Sequence, residues 1–237
     1  MNIIKVENKE ALSIKAKEMF VDVLQNTVAP ILGLATGSTP EGMYKLLIES
    51  YQNGDISFKN ALAFNLDEYV GLAPDHPASY RYYMQHKLYN HVDTIRTNTF
   101  LPNGLAEDLD AECITYEKHI QEAGNLDFLV LGIGENGHIG FNEPGTSFES
   151  RTHIVTLTEN TREVNARFFD SIDEVPTEAL TMGLGTIMDA KQIMLLVQGE
   201  RKREILKEVI YGEVTEEVPA SILQKHPNVT IITDLDV

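Results

Sequence analysis

Two rhythms of apolar residues alternate along this chain. Runs at 30–35, 128–131 and 192–197 are apolar almost without a break, the pattern of strands covered on both faces in a parallel sheet. Between them lie stretches with a helical period, such as 9–25, where Leu12, Ala16, Met19, Phe20 and Val23 share one face. The pattern predicts strands at 2–6, 30–35, 60–66, 98–101, 128–131, 153–158, 192–197 and 228–233. It predicts helices at 9–25, 41–50, 79–90, 108–123, 160–170, 183–190, 199–211 and 219–224. Strands alternating with helices, without an internal repeat or a dividing linker, predict one α/β domain spanning 1–237 rather than two small ones.

Composition narrows the partners. A formal charge of −17, with no lysine or arginine cluster to offset it, disfavours nucleic acid. No apolar run approaches the roughly 18 residues that a membrane span needs. Lys5, Glu7, Lys9 and Glu10 interrupt the amino terminus before an export signal could form, which predicts a cytoplasmic protein. The single cysteine, Cys113, lies in a helical stretch without a base beside it and reads as a small buried hydrophobe. His76, His86, His91, His119 and His226 lack metal-ligand spacing, so no metal is expected.

Candidate chemistry sits just past the carboxyl ends of strands. The strand at 128–131 runs into Gly132-Ile-Gly134-Glu-Asn-Gly137, which matches a dinucleotide fingerprint. That fingerprint needs a helix to start at its third glycine, and Gly140, Pro144 and Gly145 follow too closely for one. What the loop retains is His138 and Glu143, a possible acid/base pair or, equally, a structural histidine and a turn. Thr36, Gly37, Ser38 and Thr39 precede a helix, with Pro40 suited to its first position and Ser38 and Thr39 to its cap. This turn is an anion-site candidate, although Met43 and Tyr44 exclude a P-loop. Asp67 ends the third strand, where open α/β sheets bind ligands. Lys202 opens a later helix, where a cation is disfavoured by the dipole and so hints at an anionic ligand. Arg162 and Arg167 lie on the 160–170 helix; Arg162 reads as a partner of surface carboxylates, and Arg167 as a group that could close over an anion.

Together, Thr36-Gly-Ser-Thr-Pro40, Asn65-Leu-Asp-Glu-Tyr69, Gly134-Glu-Asn-Gly-His-Ile-Gly-Phe-Asn-Glu-Pro144, Ser150-Arg-Thr152, Asn165-Ala-Arg-Phe-Phe169 and Gly199-Glu-Arg-Lys202 resemble the glucosamine-6-phosphate deaminase family. The resemblance covers nearly the whole chain. It implies a Rossmann-like three-layer sandwich, with a mostly parallel central sheet and helices on both faces. It also implies conversion of glucosamine 6-phosphate and water to fructose 6-phosphate and ammonium, without metal or organic cofactor. Asp67 would move the C2 proton, while His138, with Asn136 and supported by Glu143, would open the sugar ring. Thr36, Gly37, Ser38, Thr39, Arg167 and Lys202 would hold the phosphate, under a lid segment around 145–172. Related 6-phosphogluconolactonases share the fold, and in such a reading His138 would activate water against a lactone. A sugar-phosphate sensor would need a helix-turn-helix and a basic face, and neither is visible. Two departures stand out. Asn136 replaces the aspartate of some members, and His153 and Val155 replace the basic residues of hexameric members controlled by N-acetylglucosamine 6-phosphate. The chain also ends at Val237, short of those members' carboxyl terminus. The expectation is a monomer or small homo-oligomer without that control.

Overall fold

The computed structural model describes residues 1–166, 169 and 171–237. In chain order the elements are β1 (Asn2–Lys5), α1 (Lys9–Asn26), β2 (Ile31–Leu34), α2 (Glu41–Gln52), β3 (Leu62–Asn65), β4 (Asp67–Tyr69), α3 (Tyr80–Lys87), β5 (Thr99–Phe100), α4 (Leu109–Ala123), β6 (Phe128–Leu131), β7 (His153–Thr156), α5 (Glu159–Asn165), β8 (Glu178–Thr181), α6 (Leu184–Met188), β9 (Ile193–Val197), α7 (Arg203–Tyr211) and β10 (Val229–Thr233).

The uninterrupted apolar runs have a direct cause. Among the described residues seven strands form one sheet in the order β1-β10-β9-β6-β2-β3-β5, every pair parallel, with helices on both faces. In β6, Phe128 and Val130 pack with Leu12 and Phe20 of α1 and Met43 of α2, while Leu129 and Leu131 pack with Tyr116 and Ile120 of α4 and Leu206 of α7. Each such side chain taken out of water contributes roughly 1.5–3 kcal/mol, so neither face of β6 can be polar. The strand order reverses between β2 and β6, which pair through Leu32 with Phe128 and Gly33 with Leu129. The expected three-layer α/β class is therefore the observed one.

Helix ends follow their local chemistry. Asp108 caps α4 by accepting the Ala111 N–H at 2.9 Å, and Gly124, at φ 108°, ends it. Ser79 caps α3 through the Tyr82 N–H at 3.0 Å.

Three expectations need correction. The strand at 60–66 stops at Asn65, and Asp67–Tyr69 leaves the parallel sheet to pair antiparallel with β8, placing Asp67 opposite Thr181. This second sheet, β4-β8-β7, includes a strand at 178–181 that local pattern did not indicate; strands of three or four residues are set by their partners rather than by their own period. Leu66 is the joint between the sheets, taking the Met182 N–H at 2.7 Å while giving its own to Leu34 at 3.4 Å. Finally, the helix expected at 183–190 shortens to Leu184–Met188; of the one expected at 160–170, α5 covers Glu159–Asn165, while 167, 168 and 170 lie outside the described residues.

β4 is also held from outside. Gly71 donates to the Gly104 carbonyl at 2.9 Å, and a Cβ on Gly104 would lie 2.0 Å from the Tyr69 carbonyl oxygen. Because the obstacle is backbone, Gly104→Ala is expected to destabilise the protein by about 1–3 kcal/mol through overpacking, read as a lower thermal midpoint. An unchanged midpoint would mean that β4 yields freely.

Candidate active site

The neighbours β9, β6, β2 and β3 run parallel, so their carboxyl ends share one rim. β3 delivers Asp67, β2 the turn 36–39, β6 the loop with His138, and β9 the turn with Lys202. These residues line one cleft of about 740 Å³. Thr36, Gly37 and Thr39 face it, whereas Ser38 is exposed and outside its lining. Glu143 is buried behind Asn136, and Arg167 lies outside the described residues.

At the 36–39 turn the expected caps are absent. Pro40 takes the cap position of α2, and no described side chain bonds the first amides of the helix. Two phenols instead hold the turn from behind. Tyr44 of α2 donates to the Ala35 carbonyl and Tyr83 of α3 to the Gly37 carbonyl, each at 2.6 Å. Across a trans peptide the next N–H points the opposite way, so the amides of Thr36 and Ser38 are directed away from the phenols. Gly37, at φ 93°, supplies the left-handed conformation that the turn requires. Amides of this kind, at the positive end of a helix, suit an anion. Lys202 lines the same cleft from a short 3₁₀ turn, Glu200–Lys202, and burial lowers its ammonium from the usual lysine range. Beside it Arg201 pairs with Glu135 at 3.8 Å.

His138 belongs to a directed relay. Asn136 Nδ2 donates to Glu143 Oε2 at 2.7 Å, which leaves Asn136 Oδ1 to face His138 Nδ1 at 2.6 Å. A carboxylate needs the amide's donor end, so the imidazole must carry its proton on Nδ1 and leave Nε2 as a base. Thr161 Oγ1 fixes the other Glu143 oxygen at 2.7 Å. Burial lowers the His138 pKa, Glu143 at 3.7 Å opposes that shift, and Lys202 adds to it. The ring is neutral at neutral pH.

Asp67 is buried, with 7 % of its surface exposed, and no described residue donates a hydrogen bond to its carboxyl. Desolvation first, and the neighbouring Glu68 second, push its pKa up to about 8. It sits beside the histidine loop: a Cβ on Gly140 would lie 3.8 Å from Asp67 Oδ2.

Sequence reading missed Tyr80, Thr161 and Asn165, all of which line the cleft, because their roles come from tertiary placement. Arg162, read as a partner of surface carboxylates, donates among the described residues to the Ile172 and Val175 carbonyls at 3.0 and 3.2 Å. Cys113 is buried as expected, and its thiol is pushed up to about 11, chiefly by burial.

A buried carboxyl and an imidazole sharing one cleft with a lysine and a helix-start turn suit acid/base chemistry on a small anionic molecule, the class that an α/β enzyme of this kind defines. Comparison with known proteins makes this particular. The family model "Glucosamine-6-phosphate isomerases/6-phosphogluconolactonase" matches residues 7–232. The chain is 57% identical to a glucosamine-6-phosphate deaminase of Oceanobacillus iheyensis over 234 residues, covering 99% of this chain and 94% of that one. It is 51% identical to the deaminase of Clostridium perfringens (strain 13 / Type A), covering 100% and 98%. A solved structure described as a monomeric glucosamine-6-phosphate deaminase superposes with a TM-score of 0.96 at 48% identity, covering 98% and 97%. The 6-phosphogluconolactonase of Trypanosoma cruzi shares the fold, at a TM-score of 0.80 and 20% identity, covering 98% and 93%. This chain belongs to the glucosamine-6-phosphate isomerase/6-phosphogluconolactonase family.

The imidazole lies flat over a glycine: a Cβ at Gly134 would come within 2.1 to 2.5 Å of His138 Cε1, Nδ1 and Nε2. Gly134→Ala is therefore expected to keep the fold but turn the ring off Asn136. Histidine nitrogen NMR at neutral pH should then lose the protonated Nδ1 signature; its retention would show that the ring accommodates the methyl group.

Proposed function

We propose that this chain deaminates glucosamine 6-phosphate, giving fructose 6-phosphate and ammonium. The observation that carries the reading is Asp67: a buried carboxyl with a pKa near 8 that lines the same cleft as the 36–39 turn and Lys202. A raised pKa makes a carboxylate a stronger base toward a proton on carbon, and burial supplies that rise here.

The reaction divides among the groups present. Thr36, Gly37, Thr39 and Lys202 hold the phosphate, with Ser38 contributing its backbone amide. Because the phosphate is remote from C1 and C2, its binding energy fixes the sugar against the reacting groups. His138 Nε2 takes the C1 hydroxyl proton and returns it to the ring oxygen, opening the pyranose to the aldehyde. Asn136 and Glu143 stabilise the transient imidazolium. Asp67 then removes the C2 proton while the substrate's ammonium group gives a proton to O1, leaving an enolamine, and Asp67 delivers the C2 proton to C1. The resulting C2 iminium adds water and releases ammonium, which balances the overall reaction.

The same reading treats 1–237 as one catalytic domain in which the segment around 145–172 acts as a lid. Its support is that Thr161 and Asn165 of α5 line the cleft, and that Thr161 also grips Glu143. Arg167, assigned to close over the phosphate, falls on residues outside the description. The reading places the enzyme in the cytoplasm, where sugar phosphates are retained. Among the described residues no helix is long and apolar enough to cross a membrane. The monomeric relative at 48% identity supports a monomer. His153 Nδ1 is occupied by the Arg151 carbonyl at 2.8 Å, and Val155 offers no charge, which supports the absence of control by N-acetylglucosamine 6-phosphate.

A coupled assay for ammonium on glucosamine 6-phosphate, with and without N-acetylglucosamine 6-phosphate, tests the reading. Release that is indifferent to the second sugar is expected, whereas hydrolysis of 6-phosphogluconolactone without ammonium would move the chain to the other branch of the family. Asp67→Asn is expected to cut kcat by at least about a thousandfold with substrate affinity nearly intact, since a general base and its charge are both lost. A variant that kept most of its kcat would remove Asp67 as the base. Lys202→Ala is expected to raise KM by roughly tenfold or more while changing kcat less, because the phosphate is gripped alike in ground and transition states. The opposite split would place Lys202 in the chemistry.

A further inference from the structure

Asp67 and Glu68 are adjacent buried carboxyls with opposite surroundings. Asp67 receives no hydrogen bond from a described residue, whereas Glu68, with 4 % of its surface exposed, receives three. Its Oε1 accepts the N–H groups of Tyr69 and Tyr80, and its Oε2 accepts that of Arg81, each at 2.9 Å. Tyr80 and Arg81 are the first residues of α3, so Glu68 closes the positive end of that helix and ties it to the strand that carries Asp67. A carboxyl that meets three N–H donors holds its negative charge, and two buried neighbours so differently solvated divide into a fixed anion and a base.

We propose that Glu68 is a positioning residue of the reaction: an anion locked by three backbone amides, which anchors the Asp67 strand to α3 and keeps Asp67 a strong base. The proposal rests on the deaminase reading. Burial leaves Glu68 above the usual glutamate range, and the three amides and the Arg81 guanidinium offset part of that rise. Among the described residues the ionisable groups facing the pair are few. On β4 Tyr69 is pushed up to about 12, and on α3 and α4 Tyr80 and Tyr116 are raised further, all chiefly by burial, so the phenols stay neutral. Lining the same cleft as Asp67 are His138, which is neutral, and Lys202. β8 presents Leu180 opposite Glu68 and Thr181 opposite Asp67, neither of them charged. Arg81, which also donates to Thr99 at 3.2 and 3.3 Å, is the cation that acts on Glu68.

The pH profile of kcat/KM tests this, since its acid limb reports loss of the proton from the base in the free enzyme. Removing the neighbouring charge makes Asp67 more acidic. Glu68→Gln is therefore expected to move the acid limb down by about one pH unit and to lower the plateau roughly threefold, as befits a weaker base. Glu68→Asp, which keeps the charge, should restore the limb. Arg81→Gln leaves Glu68 and its amide bonds in place while removing the facing cation, and should move the limb the other way, to higher pH. Damage to packing alone would not produce shifts of opposite sign. Should Glu68→Gln fail to fold, the Arg81 variant decides, and a limb unmoved or moved downward in it overturns the proposal. If the unaltered chain releases no ammonium, the functional reading fails by itself. Titration of the Asp67 carboxyl by NMR then reads the same shifts without turnover, and unmoved titration in the variants overturns the role of Glu68.

Discussion

Parallel pairing of β2 with β6, at the place where the strand order reverses, is the constraint on which this structure depends. From β2 the chain winds outward through β3 and β5, and it returns at β6 to wind the other way through β9 and β10. Connections that leave neighbouring strands toward opposite faces must part at the rim, and the gap between them cannot be filled by either. The 36–39 turn follows β2 and the histidine loop follows β6, so the gap opens between an anion-holding turn and an imidazole. β3 and β9, the next strands on either side, add Asp67 and Lys202. No long-range attraction among these four groups is needed to gather them, because sheet register does so.

Burial then resolves an electrostatic conflict. A chain with formal charge −17 repels an anionic substrate at long range. Inside the cleft the balance differs. Asp67, with a pKa near 8, is largely protonated at neutral pH; His138 is neutral; Glu135 is matched by Arg201; and Glu143 is spent on Asn136 and Thr161. Among the described residues, Lys202 and the amides at the start of α2 are left to set the local potential. The desolvation that turns Asp67 into a useful base therefore also removes a charge that would oppose phosphate binding. Base strength and anion affinity come from one cause.

How much of this was legible in the sequence depends on how local its cause is. The run Phe128–Leu131 announces a strand covered on both faces, and Asp67, His138 and Lys202 could be marked because each stands directly after a strand. Asp67 was legible as a position but not as a member of β4, since a three-residue strand takes its register from Thr181, more than a hundred residues away. Ser38 and Thr39 look like caps by composition, yet Pro40 occupies the cap and the turn is governed by Tyr44 and Tyr83, whose hydroxyl contacts no spacing rule predicts. Arg162 shows the same limit: in an acidic chain a carboxylate partner is the natural guess, and no spacing rule predicts the contacts it makes among the described residues with the Ile172 and Val175 carbonyls.

The misleading dinucleotide fingerprint has a physical explanation of its own. Gly134 is bare because the imidazole of His138 occupies the space where its side chain would be, and Gly137, at φ 86°, lies against Val218 and Ile205 and gives its carbonyl to Ala220 at 2.9 Å. Glycines that in a nucleotide site admit a pyrophosphate and a helix here admit a histidine ring and a reversal of the chain. The reversal is what sets Asn136 between His138 and Glu143. An aspartate there could accept from Nδ1 but could not donate to Glu143, and two carboxylates so close would share a proton. The amide serves both neighbours at once, keeping Nε2 free for the substrate without placing a second negative charge beside the ring.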